Sequence, residues 1–123
     1  MRLETSRHSY RDLIVWQRAD ELAFQVYLVT KDFPKSETFG LVSQMRRAAV
    51  SVPANIAEGY ARFSEREKKQ FYNVARGSLT ELDYYIGFSF RLGYLLKEAH
   101  LKAVNLENEV SRLLNGLINS LKR

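Results

Sequence analysis

The sequence predicts an all-α fold, an antiparallel up-down-up-down four-helix bundle. Three observations carry this. Apolar residues recur at three-and-four spacing in four separate segments of the 123-residue chain, the period of a helix with one buried face. Short connectors marked by proline or glycine join the segments, and short connectors place successive helices antiparallel. No stretch alternates apolar and polar residues between hairpin turns, and no internal repeat is visible. A chain of this length is one domain, able to bury roughly two thirds of its unfolded surface. Residues 1–11 read as a flexible basic arm and 12–123 as the bundle.

The arm carries Arg2, Arg7, His8 and Arg11 without a period. Asp12 is placed as the N-cap of a first helix over 13–32. Its main apolar face holds Val15, Trp16, Ala19, Leu22, Ala23, Val26, Val29 and Phe33. Leu13, Phe24 and Leu28 fall on a second arc, either tucked into the chain's own core or offered to a partner. Phe33-Pro34 ends the helix, because proline cannot continue the ladder and disfavours helix in the residue before it. Lys35 to Gly40 is a short connector.

The second helix is predicted over 39–61. Leu41, Met45, Ala48, Ala49, Val52, Ile56 and Tyr60 form its buried stripe. Pro53 predicts a kink rather than a stop, since the stripe stays in phase on both sides. Gly59 lies on the apolar side and allows close helix approach. Ser64-Glu65-Arg66-Glu67 is a capping-box pattern opening a third helix over 65–92. Phe71, Ala75, Ser78, Leu82, Tyr85 and Ser89 are its expected core seam, with Lys69, Tyr72, Arg76, Asp83 and Phe90 to one side. Gly77, Tyr84 and Phe88 lie opposite. Tyr84 and Phe88 are rings that one four-helix core would not easily cover, so with Leu13, Phe24 and Leu28 they form the candidate oligomer interface. Gly93 is a left-handed C-terminal signal. The fourth helix, over 98–121, carries Leu106, Val110, Leu113, Leu114, Leu117 and Leu121 on one face, and Lys122-Arg123 complement its negative end.

Composition narrows the chemistry. The chain is 46% apolar and 27% charged, with net charge +5 and pI about 9.6, which permits a nucleic-acid partner without demanding one. Arginine outnumbers lysine 12 to 7, and arginine suits phosphate contacts and interface ion pairs equally. Without cysteine there is no disulfide or thiolate chemistry. No apolar run approaches a membrane span, and MRLETSRHSYRD lacks a secretory h-region, so a cytoplasmic location is expected. Glu98 and His100 are two apart and point to different sides of a helix, against a di-metal carboxylate site. With only His8 and His100, neither in a motif, no hydrolytic triad is expected. Nucleotide loops and zinc spacings are absent, so no metal, no cofactor and no enzymatic activity is expected.

One polar row remains. Gln44, Arg47, Ser51, Asn55, Glu58 and Arg62 repeat at helical spacing beside the buried stripe of the second helix. Three readings compete: a structural network with Arg76, Ser78 and Glu81 of the third helix, a ligand or nucleic-acid contact, and a solvated face. Arg46, Arg47, Arg62, Arg66, Lys68, Lys69 and Arg76 cluster around the junction of helices two and three. Glu58, Glu65 and Glu67 interleave with them, so the cluster is either a salt-bridged face or a phosphate-tracking surface. Arg46, Arg47, Arg62, Arg66, Lys69 and Arg76 are the candidate nucleic-acid contacts.

The runs YRDLIVWQRADELA, FP, FGLVSQMRRAAVSVPANIAEGYAR, FYNVARGSLTELDYY and RLGYL resemble the four-helix-bundle family of 23S ribosomal RNA intervening-sequence proteins, from Tyr10 to about Leu117. That family is similar to the accessory variability determinants of diversity-generating retroelements, five-membered rings of four-helix bundles that bind a reverse transcriptase and nucleic acid. The resemblance implies a pentameric barrel and a non-enzymatic role. It places Arg46, Arg47, Asn55, Glu58, Gly59, Arg76, Gly77, Ser78 and Glu81 in the family motif. The expected function is a homo-oligomeric scaffold for RNA, DNA or a nucleoprotein; the alternative is a protein-interaction adaptor that binds no nucleic acid.

Overall fold

The structure, a computed structural model, describes residues 9–121. Four helices carry it: α1 (Ile14–Thr30), α2 (Leu41–Tyr60), α3 (Glu65–Arg91) and α4 (Lys97–Asn119), with 3-10 turns at Tyr10–Asp12 and Lys35–Glu37. No strand occurs among the described residues. The cations Arg2, Arg7 and His8 of the expected arm, and Lys122-Arg123, lie outside the described residues.

The start of α1 differs from expectation. Ser9, not Asp12, is a cap, and it caps the 3-10 turn. Its Oγ accepts the Arg11 N–H at 3.0 Å, while the Asp12 carboxylate accepts the Ser9 N–H at 3.2 Å. With its carboxylate engaged one turn early, Asp12 cannot cap α1, whose N-cap is Leu13 with no side-chain bond. Gln17 Nε2 donates to the Arg11 carbonyl at 2.8 Å, and the Tyr10 ring meets Trp16 edge-on at 5.1 Å. Ser9 to Arg11 are therefore built into the start of the fold.

α2 runs through Pro53 without a break, and Pro53 is buried. Gly59 lies against α3: a Cβ there would sit 2.7 Å from Tyr72 Cε1. Ser64 Oγ caps α3 by accepting the Glu67 N–H at 3.1 Å. The buried seam of α3 is wider than expected. Tyr72, Leu79 and Ile86 join Ala75, Ser78, Leu82 and Ser89, while Phe71 and Tyr85 are only half-buried. The cause is that α3 packs on two neighbours at once, so its apolar arc must face both. Tyr72 is 1% exposed and fills the space that Gly59 leaves open, a burial that contributes about 2 kcal/mol by area.

After α3, Gly93 adopts φ 82°, and Tyr94 N–H returns to the Ser89 carbonyl at 3.0 Å. The Tyr94 hydroxyl donates to Glu37 at 3.0 Å and its ring packs on Phe33, pinning the α3–α4 turn to the α1–α2 connector. In α4 the buried residues are Ala103, Leu106, Val110, Leu114, Ile118 and, unexpectedly, Glu107; Leu113, Leu117 and Leu121 are half-buried. Helix contacts run α1–α2, α2–α3, α3–α4 and α4–α1, so α1 and α3 are not neighbours. Arg18 ties α1 to α4 through Glu109 at 3.0 Å.

Candidate functional site

The α2 polar row and its α3 counterparts form two short networks. Arg47 Nη2 donates to Gln44 Oε1 at 2.9 Å and to Glu81 Oε2 at 2.5 Å, and the Tyr85 hydroxyl donates to the same oxygen at 2.8 Å. The Tyr85 hydrogen bond and then Arg47 hold the Glu81 carboxyl below its usual range; the same bond raises the Tyr85 phenol. One turn on, Asn55 Nδ2 donates to the Ser51 carbonyl at 2.8 Å and to Ser51 Oγ at 2.9 Å, and Ser51 Oγ shares a 2.8 Å bond with Ser78 Oγ. Glu58 pairs with Arg62, whose guanidinium lies 4.8 Å over the Phe71 ring. Arg47–Glu81 and Ser51–Ser78 cross the α2–α3 seam, while Arg62 Nε is buried without a hydrogen-bond partner. Among the described residues no histidine adjoins these serines: His100 stacks on Phe90 at 3.9 Å, on the α3–α4 side.

Arg76 does not join this network. Its Nη1 donates to Asn115 of α4 and its Nη2 to Asn73, both at 2.9 Å. It shares the α4 side of α3 with Asp83, which walls a cavity with Glu107 and Asn108 of α4, whereas Tyr72 packs on Gly59 of α2.

The candidate cations therefore do not make one patch. Arg46 turns to α1, where its Nε donates to Thr30 Oγ1 at 2.9 Å and its guanidinium covers the Tyr27 ring at 4.5 Å. Arg47 and Arg62 are paired with carboxylates, and Arg76 faces α4. Lys68 Nζ donates to the Tyr60 carbonyl at 2.8 Å, closing the end of α2. Arg66 and Lys69 stand exposed on the first turns of α3. Phe63, in the α2–α3 connector just ahead of them in the chain, is 101% exposed. Sequence reasoning passed over Phe63 because a lone ring in a connector has no period to flag it.

The candidate interface residues also divide. Leu13 is half-buried and packs against the core. Phe24 is 66% exposed, with Leu28 and Ile14 also exposed on α1. Tyr84 is 62% exposed on α3 and stacks on half-buried Phe88 at 5.9 Å; Arg91 lies 5.8 Å over the Phe88 ring. Because α1 and α3 are not neighbours, these are two patches on opposite sides of the bundle.

Between α3 and α4 lies a feature the sequence did not suggest. Glu107 is 5% exposed, its carboxyl meets Asp83, and its Oε1 has no hydrogen-bond partner. Burial first, then the hydrogen bond and charge of Asp83, push the Glu107 carboxyl up to about 9. A cavity of about 220 Å³ adjoins the pair, walled by Arg76, Leu79, Thr80, Asn108 and Ser111. Among the described residues no group of three or more His, Asp or Glu side chains gathers to hold a metal, and no helix is long and apolar enough to cross a membrane.

Residues 11–116 match the family model of the 23S rRNA-intervening sequence protein. Among solved structures, a protein of unknown function from the S23 ribosomal protein family of Bacteroides thetaiotaomicron is similar, with a TM-score of 0.80 and 23% identity over 87% of this chain and 100% of that one. At that identity the likeness shows a shared fold. No curated protein matches the chain.

Proposed function

The chain belongs to the 23S rRNA-intervening sequence protein family, and from that membership we propose that it is a non-enzymatic, homo-oligomeric scaffold that binds nucleic acid or a nucleoprotein in the cytoplasm. The observation that carries the reading is the α2–α3 corner. There the uncovered Phe63 ring lies in the connector three residues before Arg66, with Arg66 and Lys69 exposed on the first turns of α3. A base can stack on such a ring while the cations follow the phosphates.

Neighbouring helices run antiparallel in this reading. Thr30 at the end of α1 meets Arg46 near the start of α2. Met45, Ser51 and Gly59 meet Ser89, Ser78 and Tyr72, in reverse order. A ring needs two different faces that fit head to tail. The Phe24–Leu28 patch on α1 and the Tyr84–Phe88 patch on α3 supply two faces on opposite sides. The resemblance to ring-forming proteins implies five copies, and five corners together bind far more tightly than one.

The adaptor reading keeps one observation in its favour: Arg46, Arg47, Arg62 and Arg76 are all engaged within the chain. Light-scattering mass, with and without RNA and duplex DNA at low and high salt, separates the two. The scaffold reading expects a multimer whose mass rises with nucleic acid at low salt and returns at high salt. Removing Arg66 and Lys69 together should lower the salt slope of binding by about 2 per engaged subunit. A multimer indifferent to nucleic acid favours the adaptor, and a monomer refutes the ring.

A further inference from the structure

We infer that Asp83 and Glu107 form a proton-sharing clasp that joins α3 to α4 and makes the hold on α4 respond to pH. Asp83 of α3 and Glu107 of α4 wall the same cavity; two carboxyl groups so placed repel when both are ionised, whereas one proton shared between them allows an O–H···O bond. Glu107 is the buried member and Asp83 the exposed one, so the proton belongs on Glu107. The orphaned Oε1 fits the same assignment. A neutral carboxyl tolerates one unpartnered oxygen in a buried site, while a carboxylate would leave charge there unsolvated.

Among the described residues the surrounding cations make no ion pair with either carboxyl. From α3 come Asp83 itself and Arg76, whose guanidinium is engaged by Asn73 and Asn115. From α1 comes Arg18, which turns to Glu109 and Glu21. α2 does not pack on α4. As the proton leaves, the second negative charge pushes the two helices apart, and the adjoining cavity is where water first enters.

The sign follows from the folded state holding a proton that the unfolded chain has lost. Glu107 titrates near 9 when folded and near 4.5 when unfolded. Across that window the clasp's contribution is greatest on the acid side and is lost as pH rises, tenfold in the folding constant per pH unit for one proton. Above about 9 the dependence flattens.

Denaturant unfolding of the wild-type protein, Glu107→Gln and Asp83→Asn across this window, at one protein concentration, reads the linkage. Glu107→Gln keeps the shape and offers Asp83 an N–H donor. It should remove about one proton from the wild-type slope and exceed wild type in stability on the alkaline side. Asp83→Asn should flatten the slope in part. Wild-type and Glu107→Gln curves that run parallel would overturn the clasp. Should Glu107→Gln not fold, a carbon-13 NMR titration of the wild-type carboxyls decides. One carboxyl with a midpoint far above the ordinary range supports the clasp, and a Glu107 midpoint near 4.5 sinks it.

Discussion

Replacing Gly59 with alanine should destabilise the protein, although alanine is the better helix former by about 1 kcal/mol in a helix interior. The added Cβ would stand 2.7 Å from Tyr72 Cε1, 2.9 Å from Tyr72 Cδ1 and 3.0 Å from Phe71 Cβ. None of these atoms yields cheaply. The Tyr72 ring is fully enclosed, and the Phe71 Cβ is fixed to the α3 backbone, so α2 and α3 must separate. Overpacking of this kind costs about 1–3 kcal/mol. With two contacts under 3 Å the upper end applies, leaving a net loss of about 2 kcal/mol, or roughly 8 °C in Tm for a domain of this size. Gly116→Ala is the matched control. Gly116 is exposed on α4 with nothing within 4 Å, so it should rise by about 0.5 kcal/mol. Thermal unfolding of both variants is the assay. If Gly59→Ala is as stable as wild type, or moves in the same direction as Gly116→Ala, the close approach of α2 to α3 is wrong.

Two further predictions bear on the surface. A double-mutant cycle on Arg47→Ala and Glu81→Ala should give a coupling below about 1 kcal/mol, because both side chains are solvent-accessible; chemical denaturation measures it, and a larger value would mean that the pair is buried in an assembly. Phe24→Glu on α1 and Tyr84→Glu on α3 should each lower the light-scattering mass while leaving the helical circular dichroism intact, since neither ring is covered within one chain. A ring that survives both would exclude these two faces as the interface.

Much of the fold was legible because helical spacing reports which residues share a face. The apolar stripe of α2 stays in phase through Pro53, Gly59 has no side chain where α3 must pass, and Gly93 takes the left-handed angle that a helix end needs. Spacing does not say which neighbour occupies a face. Arg46 and Arg76 sit close to the polar network in sequence yet turn to α1 and α4, and Tyr72 is buried because Gly59 of α2 leaves room for its ring. Asp12 was misplaced for a more local reason: Ser9, three residues earlier, makes a complete capping box with it. Glu107 was illegible altogether, since a glutamate in a polar stretch reads as surface until a second carboxyl is brought against it.

The uneven sharing of contacts among the helices has a kinetic consequence. The α2–α3 seam is the most extensive in the molecule, and its two helices are joined by a four-residue connector. Closing so short a loop costs little chain entropy, so this hairpin should form early and α1 and α4 should dock upon it. The contact between α1 and α4 joins the two ends of the chain and gains nothing until both have arrived. Stopped-flow measurements should therefore show Ser78→Ala slowing folding, whereas loss of the Arg18–Glu109 tie should chiefly hasten unfolding. The two outer helices are then the part of the bundle that opens first and closes last, while the hairpin that carries the proposed binding corner keeps its shape.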